Sequence, residues 1–337
     1  MYRPGLPCPC VAVILACPDI GSGRFRIVSG QDQRVAVLLG TKDGAAFINQ
    51  QLESLAAQSW PRVDLWVSDD GSTDGTASII EAWRTRWAKG RVTLVDGPRQ
   101  GFAANFRSMI IDPRVQADYY AFCDQDDVWE RDRLESAIRW MGTQDPETPL
   151  LFCSRTATIS ETGQAAGHSP LFPRPPSFRN ALVQSIAGGN TMLLNRKARD
   201  LLAKASARTE FVSHDWWAYL IVAAGGGTIR YEPRPLVRYR QHGANLVGAN
   251  VSWRARFIRI GRLRKGQFAT WTDSNLSGLV VNRDLLTSDA EHCLEMFIEA
   301  RNSAVFKRFR LLRKSGVYRQ TVLGTLGLYL AVLRSWI

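Results

Sequence analysis

The stretch "DYYAFCDQDD" at residues 118–127 runs from an apolar segment directly into a cluster of acidic side chains. Asp124, Asp126 and Asp127 stand almost side by side, and neighbouring carboxylates repel one another, so each resists ionisation beside the next. The apolar segment is typical of a buried strand, which places the acids at a strand end. The cluster indicates either a bound cation or a solvated acidic turn.

Units of a strand and a helix precede this stretch. Apolar, β-branched runs predict strands at 34–41, 63–70 and 91–97. Apolar residues at helical spacing predict helices at 45–58, 71–87, 101–111 and 131–141. Alternation at this pitch predicts an α/β fold with a doubly wound, mostly parallel sheet.

The pattern loosens after residue 150. A strand is expected at 149–160, a turn into a strand at 188–195 and a helix at 214–226. From 251 onwards the chain is Arg-rich, with helical spacing. We therefore predict three parts, which are a weakly ordered leader (1–33), a catalytic domain (34–250) and a basic helical C-terminal region (251–337).

Polar clusters follow three of the predicted parallel strands. They are Thr41–Gly44, Asp69–Gly75 and Asp124–Asp127. Ligands of doubly wound sheets bind at the carboxyl ends of the strands. This edge of the sheet is therefore the predicted functional site.

The acidic cluster has the chemistry of a cation site. Hard carboxylate oxygens suit Mg²⁺ or Mn²⁺, with substrate phosphates completing the coordination shell. Alternate residues of an extended chain point the same way, so Asp124 and Asp126 are expected to face one cation together while Asp127 points elsewhere. The alternative is a solvated turn with helix-capping acids.

The segment "SDDGSTDGT" at 68–76 suits the turn between a strand and a helix, because Gly71 tolerates a positive φ. We predict that Asp70 accepts a hydrogen bond from a nucleobase ring N–H, which would select a pyrimidine. A plain turn without a ligand is the alternative.

Two further segments contribute candidates. "SHDWW" at 213–217 offers Asp215 as a general base beside His214, with Trp216 and Trp217 as faces on which a sugar could stack. Its alternative is a capping aspartate beside core aromatics. "RYRQHGANLVG" at 238–248 offers His242 as a metal ligand.

In that last segment, Arg238 and Arg240 are candidates for phosphate contacts. Residues 97–106 are Gly-rich but lack the ending of a P-loop, and no Rossmann fingerprint follows a predicted strand. ATP hydrolysis and nicotinamide chemistry by those routes are disfavoured.

Charge and cysteine content bear on location. The net charge is +12, and residues 251–337 hold 15 Lys and Arg against 6 Asp and Glu, which favours an anionic partner. The six cysteines match no zinc or disulfide pattern, which indicates reduced thiols in a cytoplasmic protein. No apolar stretch reaches the ~18 residues of a membrane span; the nearest, 321–333, is shorter.

Seven motifs, taken in order, resemble those of family 2 glycosyltransferases of the GT-A fold, in particular the rhamnosyltransferase-like branch. They are "VAVLLGTKDG", "SDDGSTDGT", "GFAANF", "CDQDDVW", "GGNTM", "HDWW" and "YRQHGAN". The resemblance covers residues 34–250. Lys42 and Asp43 stand where the family usually has an aromatic residue and Asn, and the QxxRW motif of the processive branch is absent.

The resemblance implies inverting transfer from a nucleotide-diphosphate sugar, with Mn²⁺ or Mg²⁺ bridging the diphosphate. Asp215 falls on the catalytic base, Asp124 and Asp126 on the DxD motif with Asp127 beside it, and His242 on a late metal or diphosphate ligand. The residues that fall on nucleotide-sugar contacts are Thr41, Asp43, Asp70, Asn105 and Asp124. Those that fall near the sugar and acceptor are Gly189, Asn190, Thr191, Trp216 and Trp217, with His214 and Arg240 as further candidates.

The resulting prediction is an enzyme that moves a sugar, rhamnose among the candidates, from a UDP- or dTDP-sugar to a cell-surface glycan or lipid-linked acceptor. It is expected in the cytoplasm, peripheral on the inner face of the membrane, with 251–337 on the anionic surface and no nucleic acid partner. A nucleotidyltransferase, or a non-catalytic basic protein that binds membrane or nucleic acid, are the alternatives.

Overall fold

A computed structural model describes residues 32–242 and 267–334. Within these residues nine strands form one sheet, in the order β3-β2-β1-β4-β8-β6-β9-β5, with β7 paired to β6. The strands are β1 (Val35–Thr41), β2 (Val63–Asp69), β3 (Val92–Asp96), β4 (Tyr119–Cys123), β5 (Val128–Trp129), β6 (Leu150–Ser160), β7 (Ala165–His168), β8 (Leu193–Asn195) and β9 (Thr228–Gln241).

The first four strands are parallel, with β1 between β2 and β4. In the other half, β8 runs antiparallel to β4 and β6, whereas β9 runs parallel to β6 over most of its length. The longest ladders are therefore the parallel ones, and the carboxyl ends of β1, β2 and β4 meet at one edge. Thr41 pairs with Asp69 there, and Leu39 pairs with Cys123.

Helices cover both faces of the sheet. They are α1 (Ile48–Ala56), α2 (Thr76–Arg84), α3 (Phe102–Ile111), α4 (Arg133–Met141), α5 (Phe178–Ala181), α6 (Arg196–Arg208), α7 (His214–Ala224), α8 (Gln267–Val281), α9 (Ser288–Asn302), α10 (Val305–Ser315) and α11 (Val322–Leu333), with 3₁₀ turns at Gly189–Thr191 and Arg283–Leu285. Helices α1, α2 and α4 pack on one face and α3, α6 and α7 on the other.

Strand β1 shows why both faces are covered. Val35, Val37 and Leu39 enter one core, whereas Ala36 and Leu38 enter the other, because successive side chains of a strand point to opposite faces. All five are buried. A strand that is apolar on both faces has to be covered on both, as the doubly wound prediction required.

From residue 34 to residue 123 the fold follows the sequence prediction closely. The differences lie at the acidic cluster and beyond. Strand β4 ends at Cys123 and 124–127 form a turn, so the extended alternation expected for Asp124 and Asp126 is wrong. Helix α6 and the long strand β9 had no sequence prediction, because the alternating pattern is weak there.

Helices α8 to α11 extend the core that contains α7. Leu279, Phe297, Leu312 and Leu328, one from each helix, are buried in the same cluster as Trp217. Parts of the predicted C-terminal region are thus continuous with the core of the sheet. Among the described residues, no helix is long and apolar enough to cross a membrane. The leader up to residue 31 and the segment 243–266 lie outside the described residues.

Candidate active site

The turns after β1 and β2 interlock at the carboxyl edge of the sheet. Asp43 adopts a left-handed φ of 47°, and its carboxylate accepts a hydrogen bond from Thr73 N at 2.8 Å. In return, Asp43 N donates to Ser72 Oγ at 2.8 Å and Gly44 N donates to Thr76 Oγ1 at 2.8 Å. The bond from Thr73 holds the pKa of Asp43 below its usual value. The two turns therefore form one rigid rim.

Gln125 ties the acidic turn to this rim. Its Oε1 accepts hydrogen bonds from Thr41 Oγ1 at 2.6 Å and Lys42 N at 2.8 Å, and its Nε2 donates to Lys42 O at 2.9 Å. A Cβ on Gly44 would lie 2.3 Å from Gln125 Oε1, so this close approach requires glycine. The predicted nucleotide residue Thr41 is thereby fixed relative to Asp124 and Asp126.

Asp70 organises the loop between β3 and α3. Its Oδ1 accepts from Arg99 N at 2.6 Å and its Oδ2 from Gly101 N at 2.8 Å. Asp70 is buried, so it holds this loop against the end of β2. Reading of a nucleobase would use the second lone pairs of the same oxygens, and this role stays a prediction.

Asn105, another predicted nucleotide contact, faces the protein interior. Its Nδ2 donates to Ser68 O at 2.9 Å, and its Oδ1 accepts from Ser68 Oγ at 2.5 Å. Only 2% of the side chain is exposed. The observed contacts fasten α3 to β2, so any influence on a nucleotide would pass through the position of that helix.

The acidic turn presents Asp124 and Asp126 on its open side. Both are half-buried, and His242 Nε2 lies 2.7 Å from Asp126 Oδ2. The His242 ring also packs on Phe47, with 4.8 Å between ring centroids. Loss of solvation, and then the charges of Asp127, Asp126 and Asp215, raise the pKa of Asp124 well above its usual range. The turn thus concentrates negative charge that a cation would relieve.

Asp127 is on the buried side of the same turn. Asn190 Nδ2 donates to its Oδ2, and Arg240 N donates to its Oδ1 at 3.1 Å. Burial, together with the charge of Asp126, raises the pKa of Asp127 to about 7, although both hydrogen bonds oppose this rise. Asp127 therefore joins the turn to the predicted acceptor loop at Asn190 and to β9.

A buried arginine supports that loop from below. Arg133 Nη2 donates to Asn190 O at 2.8 Å and to Met192 O at 3.2 Å, and its guanidinium lies 3.4 Å from the centroid of the Trp129 ring. Burial lowers the pKa of Arg133 to about 9. The loop that carries Gly189, Asn190 and Thr191 is thus held by charged side chains on two sides.

Asp215 begins α7 and is close enough to Asp124 to raise the pKa of that carboxyl. Its Oδ1 accepts hydrogen bonds from Ser213 Oγ and from Trp216 N, the latter at 2.7 Å. Among the described residues, Oδ2 has no hydrogen-bond partner. Nine of the eleven residues of α7 are buried, so Asp215 stands on a rigid support.

His214 is enclosed rather than exposed to a ligand. Its ring stacks on Phe106 at 3.7 Å between centroids, and among the described residues neither ring nitrogen has a hydrogen-bond partner. Burial lowers its pKa to about 4, so the ring is neutral. A Cβ on Gly189 would lie 2.0 Å from His214 Nε2, which explains why glycine is needed in that loop.

Three sequence predictions need correction. Trp217 is fully buried and Trp216 is 8% exposed, and Trp216 Nε1 donates to Ala181 O, so neither ring offers a face for sugar stacking. Arg240 is also buried, with Nε donating to Asp126 O and Nη1 to Glu161 O. It braces the acidic turn instead of facing a phosphate. Arg238 forms an exposed ion pair with Glu130 at 2.7 Å, and its contact with a phosphate stays a prediction.

The open side of the turn fits a divalent cation that is completed by its substrate. Among the described residues, no three carboxylate, imidazole or thiolate side chains converge closely enough to hold a metal ion by themselves. Asp126 Oδ2 and His242 Nε2 are 2.7 Å apart, close to the roughly 3 Å between neighbouring ligands of an octahedral Mg²⁺ or Mn²⁺. Phosphate oxygens and water would supply the remaining ligands.

Sequence reasoning missed Gln125 and Arg133. Gln125 lies between two aspartates that are obvious candidates for cation binding, and a neutral glutamine does not by itself indicate a functional role. From the sequence, Arg133 is expected to be an exposed residue in the first turn of a helix. Its proximity to Trp129 at four residues' separation was the available signal, since cation–π pairs stabilise buried guanidinium groups.

Comparison with known proteins shows what the chain is similar to. Residues 37–201 match the model of Glycosyl transferase family 2. The dTDP-rhamnosyl transferase RfbG of Shigella flexneri is 26% identical over 235 residues, which is 67% of this chain and 79% of RfbG. The putative teichuronic acid biosynthesis glycosyltransferase TuaG of Bacillus subtilis is 26% identical over 194 residues, 55% of this chain and 71% of TuaG.

Among solved structures, the crystal structure of S. aureus TarS 1-349 superposes with a TM-score of 0.50 at 16% identity, over 84% of this chain and 89% of that one. At this identity the likeness shows the fold. The family model covers the acidic turn and the loop at Asn190, whereas Asp215 and His242 lie beyond its last matched residue, 201. The matched segment, residues 37–201, belongs to family 2 of the glycosyltransferases, and the chain has the GT-A fold.

Proposed function

We propose that the protein is an inverting glycosyltransferase that moves a sugar from a UDP- or dTDP-sugar to a hydroxyl of a cell-surface glycan or lipid-linked acceptor. The observation that carries the proposal is the grouping of Asp215 with the open side of the acidic turn. A general base and a cation-binding cluster at one edge of the sheet are the two parts that a single displacement at a sugar phosphate requires.

Asp215 would act as the base. The two hydrogen bonds to Oδ1 fix the orientation of the carboxylate and leave Oδ2 for an acceptor hydroxyl. As that hydroxyl oxygen attacks the anomeric carbon, its proton passes to Asp215 Oδ2 and the bond from the anomeric carbon to the diphosphate breaks. A single displacement of this kind inverts the anomeric configuration, and no covalent intermediate forms.

Asp124, Asp126 and His242 would hold a divalent cation, Mn²⁺ or Mg²⁺. When bound, such a cation neutralises the charge that develops on the leaving diphosphate. Gln125 and the rim formed by Asp43 and Thr73 would set the distance between the nucleotide and this cluster. Asp70 would read the base through its remaining lone pairs.

Two relatives suggest the donor and the setting. RfbG is named a dTDP-rhamnosyl transferase and TuaG is named for teichuronic acid biosynthesis, so we propose dTDP-rhamnose as the first donor to test and a cell-surface polysaccharide as the product. A lipid-linked acceptor would place the enzyme at the inner, anionic face of the membrane, through its C-terminal region.

The test is a donor screen with the purified chain. Labelled UDP- and dTDP-sugars are incubated with Mn²⁺, with Mg²⁺ and with EDTA, and free nucleotide diphosphate is measured with and without added acceptor glycans. We expect turnover of one donor class that EDTA abolishes and either cation restores. NMR of the product should show the anomeric configuration opposite to that of the donor.

Two outcomes would overturn parts of the proposal separately. Turnover that is unchanged in EDTA would show that no cation takes part in the reaction, while the proposed transferase activity would still hold. A product with retained configuration would remove the role of Asp215 as the base of a single displacement.

A further inference from the structure

The C-terminal part of the chain divides into two regions of opposite charge. Residues 267–302 carry six Asp and Glu against two Lys and Arg, whereas residues 303–334 carry seven Lys and Arg and no acid. The excess of positive charge is therefore not spread along the helices. Among the described C-terminal residues, five of these seven cations lie on α10, and Arg319 and Arg334 flank α11.

Exposed apolar side chains gather on the same two helices. Of the eleven large hydrophobic side chains that are exposed among the described residues, seven lie here. They are Val305, Phe306, Phe309, Val322, Leu323, Leu326 and Leu330. Phe306 is 93% exposed and Leu323 is 81% exposed. Exposed apolar side chains concentrated in this way on a folded protein indicate an interaction site.

The two helices form one unit. Arg308, near the start of α10, donates from Nη1 to Val332 O near the end of α11 at 2.9 Å, so the helices lie side by side. The rings of Phe309 and Tyr329 meet edge to face at 5.8 Å between centroids. Leu312 and Leu328 anchor the pair in the core, which leaves the opposite faces outward.

Cations border the apolar side chains. Arg310, Arg313 and Lys314 are exposed on α10, and no carboxylate of the described residues pairs with them. Lys307 is paired with Glu299 at 2.7 Å. Phe306, Arg310 and Arg313 recur at helical spacing, so the ring and the guanidinium groups share a side of the helix. Helix α11 adds an apolar surface without a single charged residue.

We infer that α10 and α11 form a membrane-docking element, in which the exposed Phe and Leu side chains enter the interface of a bilayer and Arg310, Arg313 and Lys314 meet anionic phospholipid headgroups. The combination of apolar surface and unpaired cations, with no acid on either helix, fits an anionic lipid surface. The inference rests on the proposed function for its purpose, since a lipid-linked acceptor lies at the membrane surface. The inference assigns the membrane contact, predicted from the sequence for the whole region 251–337, to α10 and α11.

The test is flotation of the full chain with vesicles of phosphatidylcholine alone or with roughly 30% phosphatidylglycerol. We expect binding to the anionic vesicles and its loss at high salt. A charge variant, R310Q/R313Q/K314Q, should bind about a hundredfold more weakly, because each cation near an anionic surface contributes roughly a fivefold factor. An apolar variant, F306S/L323S/L326S, should bind at least about tenfold more weakly to the same vesicles.

Val280 and Val281 provide the matched control, since they are exposed apolar side chains outside this element. V280S/V281S should bind vesicles like the wild type. Circular dichroism and donor turnover in solution are measured for every variant, to check that it is folded.

Equal binding of the wild type, the charge variant and the apolar variant would overturn the inference. So would a wild-type dimer in light scattering that the apolar variant converts to a monomer, because the surface would then join two copies of the chain. Vesicle binding without turnover of any donor would instead count against the proposed function and leave the docking element standing.

Discussion

The acidic turn has an open side and a buried side, built from the same residue type one position apart. On the open side, Asp126 faces His242 beside Asp124, and among the described residues no Lys or Arg side chain pairs with either carboxylate. On the buried side, Asp127 is held by the neutral donors Asn190 Nδ2 and Arg240 N. Uncompensated repulsion on the open side is therefore available for ligand binding, as we propose, whereas the hydrogen bonds on the buried side hold the shape of the turn.

The largest effect is expected on replacing Asp215, the proposed base beside the open side. Asp215→Asn should lower the rate of sugar transfer by roughly a thousandfold, since a positioned general base contributes on that order. Steady-state transfer assays and calorimetric titration with nucleotide diphosphate measure rate and binding, and the binding should be unchanged. Asp200→Asn, on the exposed surface of α6, is the control and should transfer at the wild-type rate. Full activity of Asp215→Asn would show that the open side does not contain the base.

The two adjacent aspartates can be compared directly. Asp126→Ala should lower cation-dependent activity on the order of 10- to 100-fold with little change in stability. Asp127→Ala should instead lower the free energy of unfolding by about 1–3 kcal/mol, because it leaves buried N–H donors without an acceptor. Urea unfolding and activity titrations with Mn²⁺, run on both variants, check this. An equal loss of stability in the two variants would contradict the assignment of a structural role to Asp127 alone.

Gln125 joins the open side to the nucleotide rim, and its removal should have a smaller effect. Gln125→Leu loses three hydrogen bonds to Thr41 and Lys42 and should raise the KM for the donor about tenfold, since displaced binding groups reduce affinity and rate. Gln125→Glu keeps the acceptor oxygen and loses the bond to Lys42 O, so its KM should lie between those of the wild type and Gln125→Leu. A kcat effect without a KM effect would contradict the positioning role.

The smallest expected effect is a pH dependence from the buried side. Because the pKa of Asp127 is raised to about 7 in the folded protein, its folded form keeps a proton that the unfolded chain releases near pH 4. Its contribution to stability is therefore full below pH 4 and is lost as the pH rises from about 4 to about 7. As the pH rises from 5 to 8, the free energy of unfolding of the wild type should therefore fall relative to that of Asp127→Asn. Urea unfolding without divalent cations measures this difference at each pH. An unchanged difference between the two proteins would contradict the raised pKa.

Periodicity was enough to predict the parallel half of the sheet, because β1 and β4 are apolar on both faces, β2 and β3 are apolar on at least one, and helices follow at regular spacing. The second half was harder. Strand β9 is partly exposed and rich in arginine, and it is stabilised by its parallel pairing with β6, a contact between distant segments. No local pattern reports such a pairing.

Chain order and the parallel topology were enough to place Thr41, Asp70 and Asp124 together at the carboxyl edge of the sheet. The contacts and the burial of each side chain became known from the folded structure alone. Trp217 and Arg240 are buried and contribute to packing. Asp127 is buried whereas the adjacent Asp126 is partly exposed, so the two carboxylates have different surroundings. Solvent exposure and long-range hydrogen bonds set the role of a polar side chain, and both depend on contacts that sequence neighbours do not make.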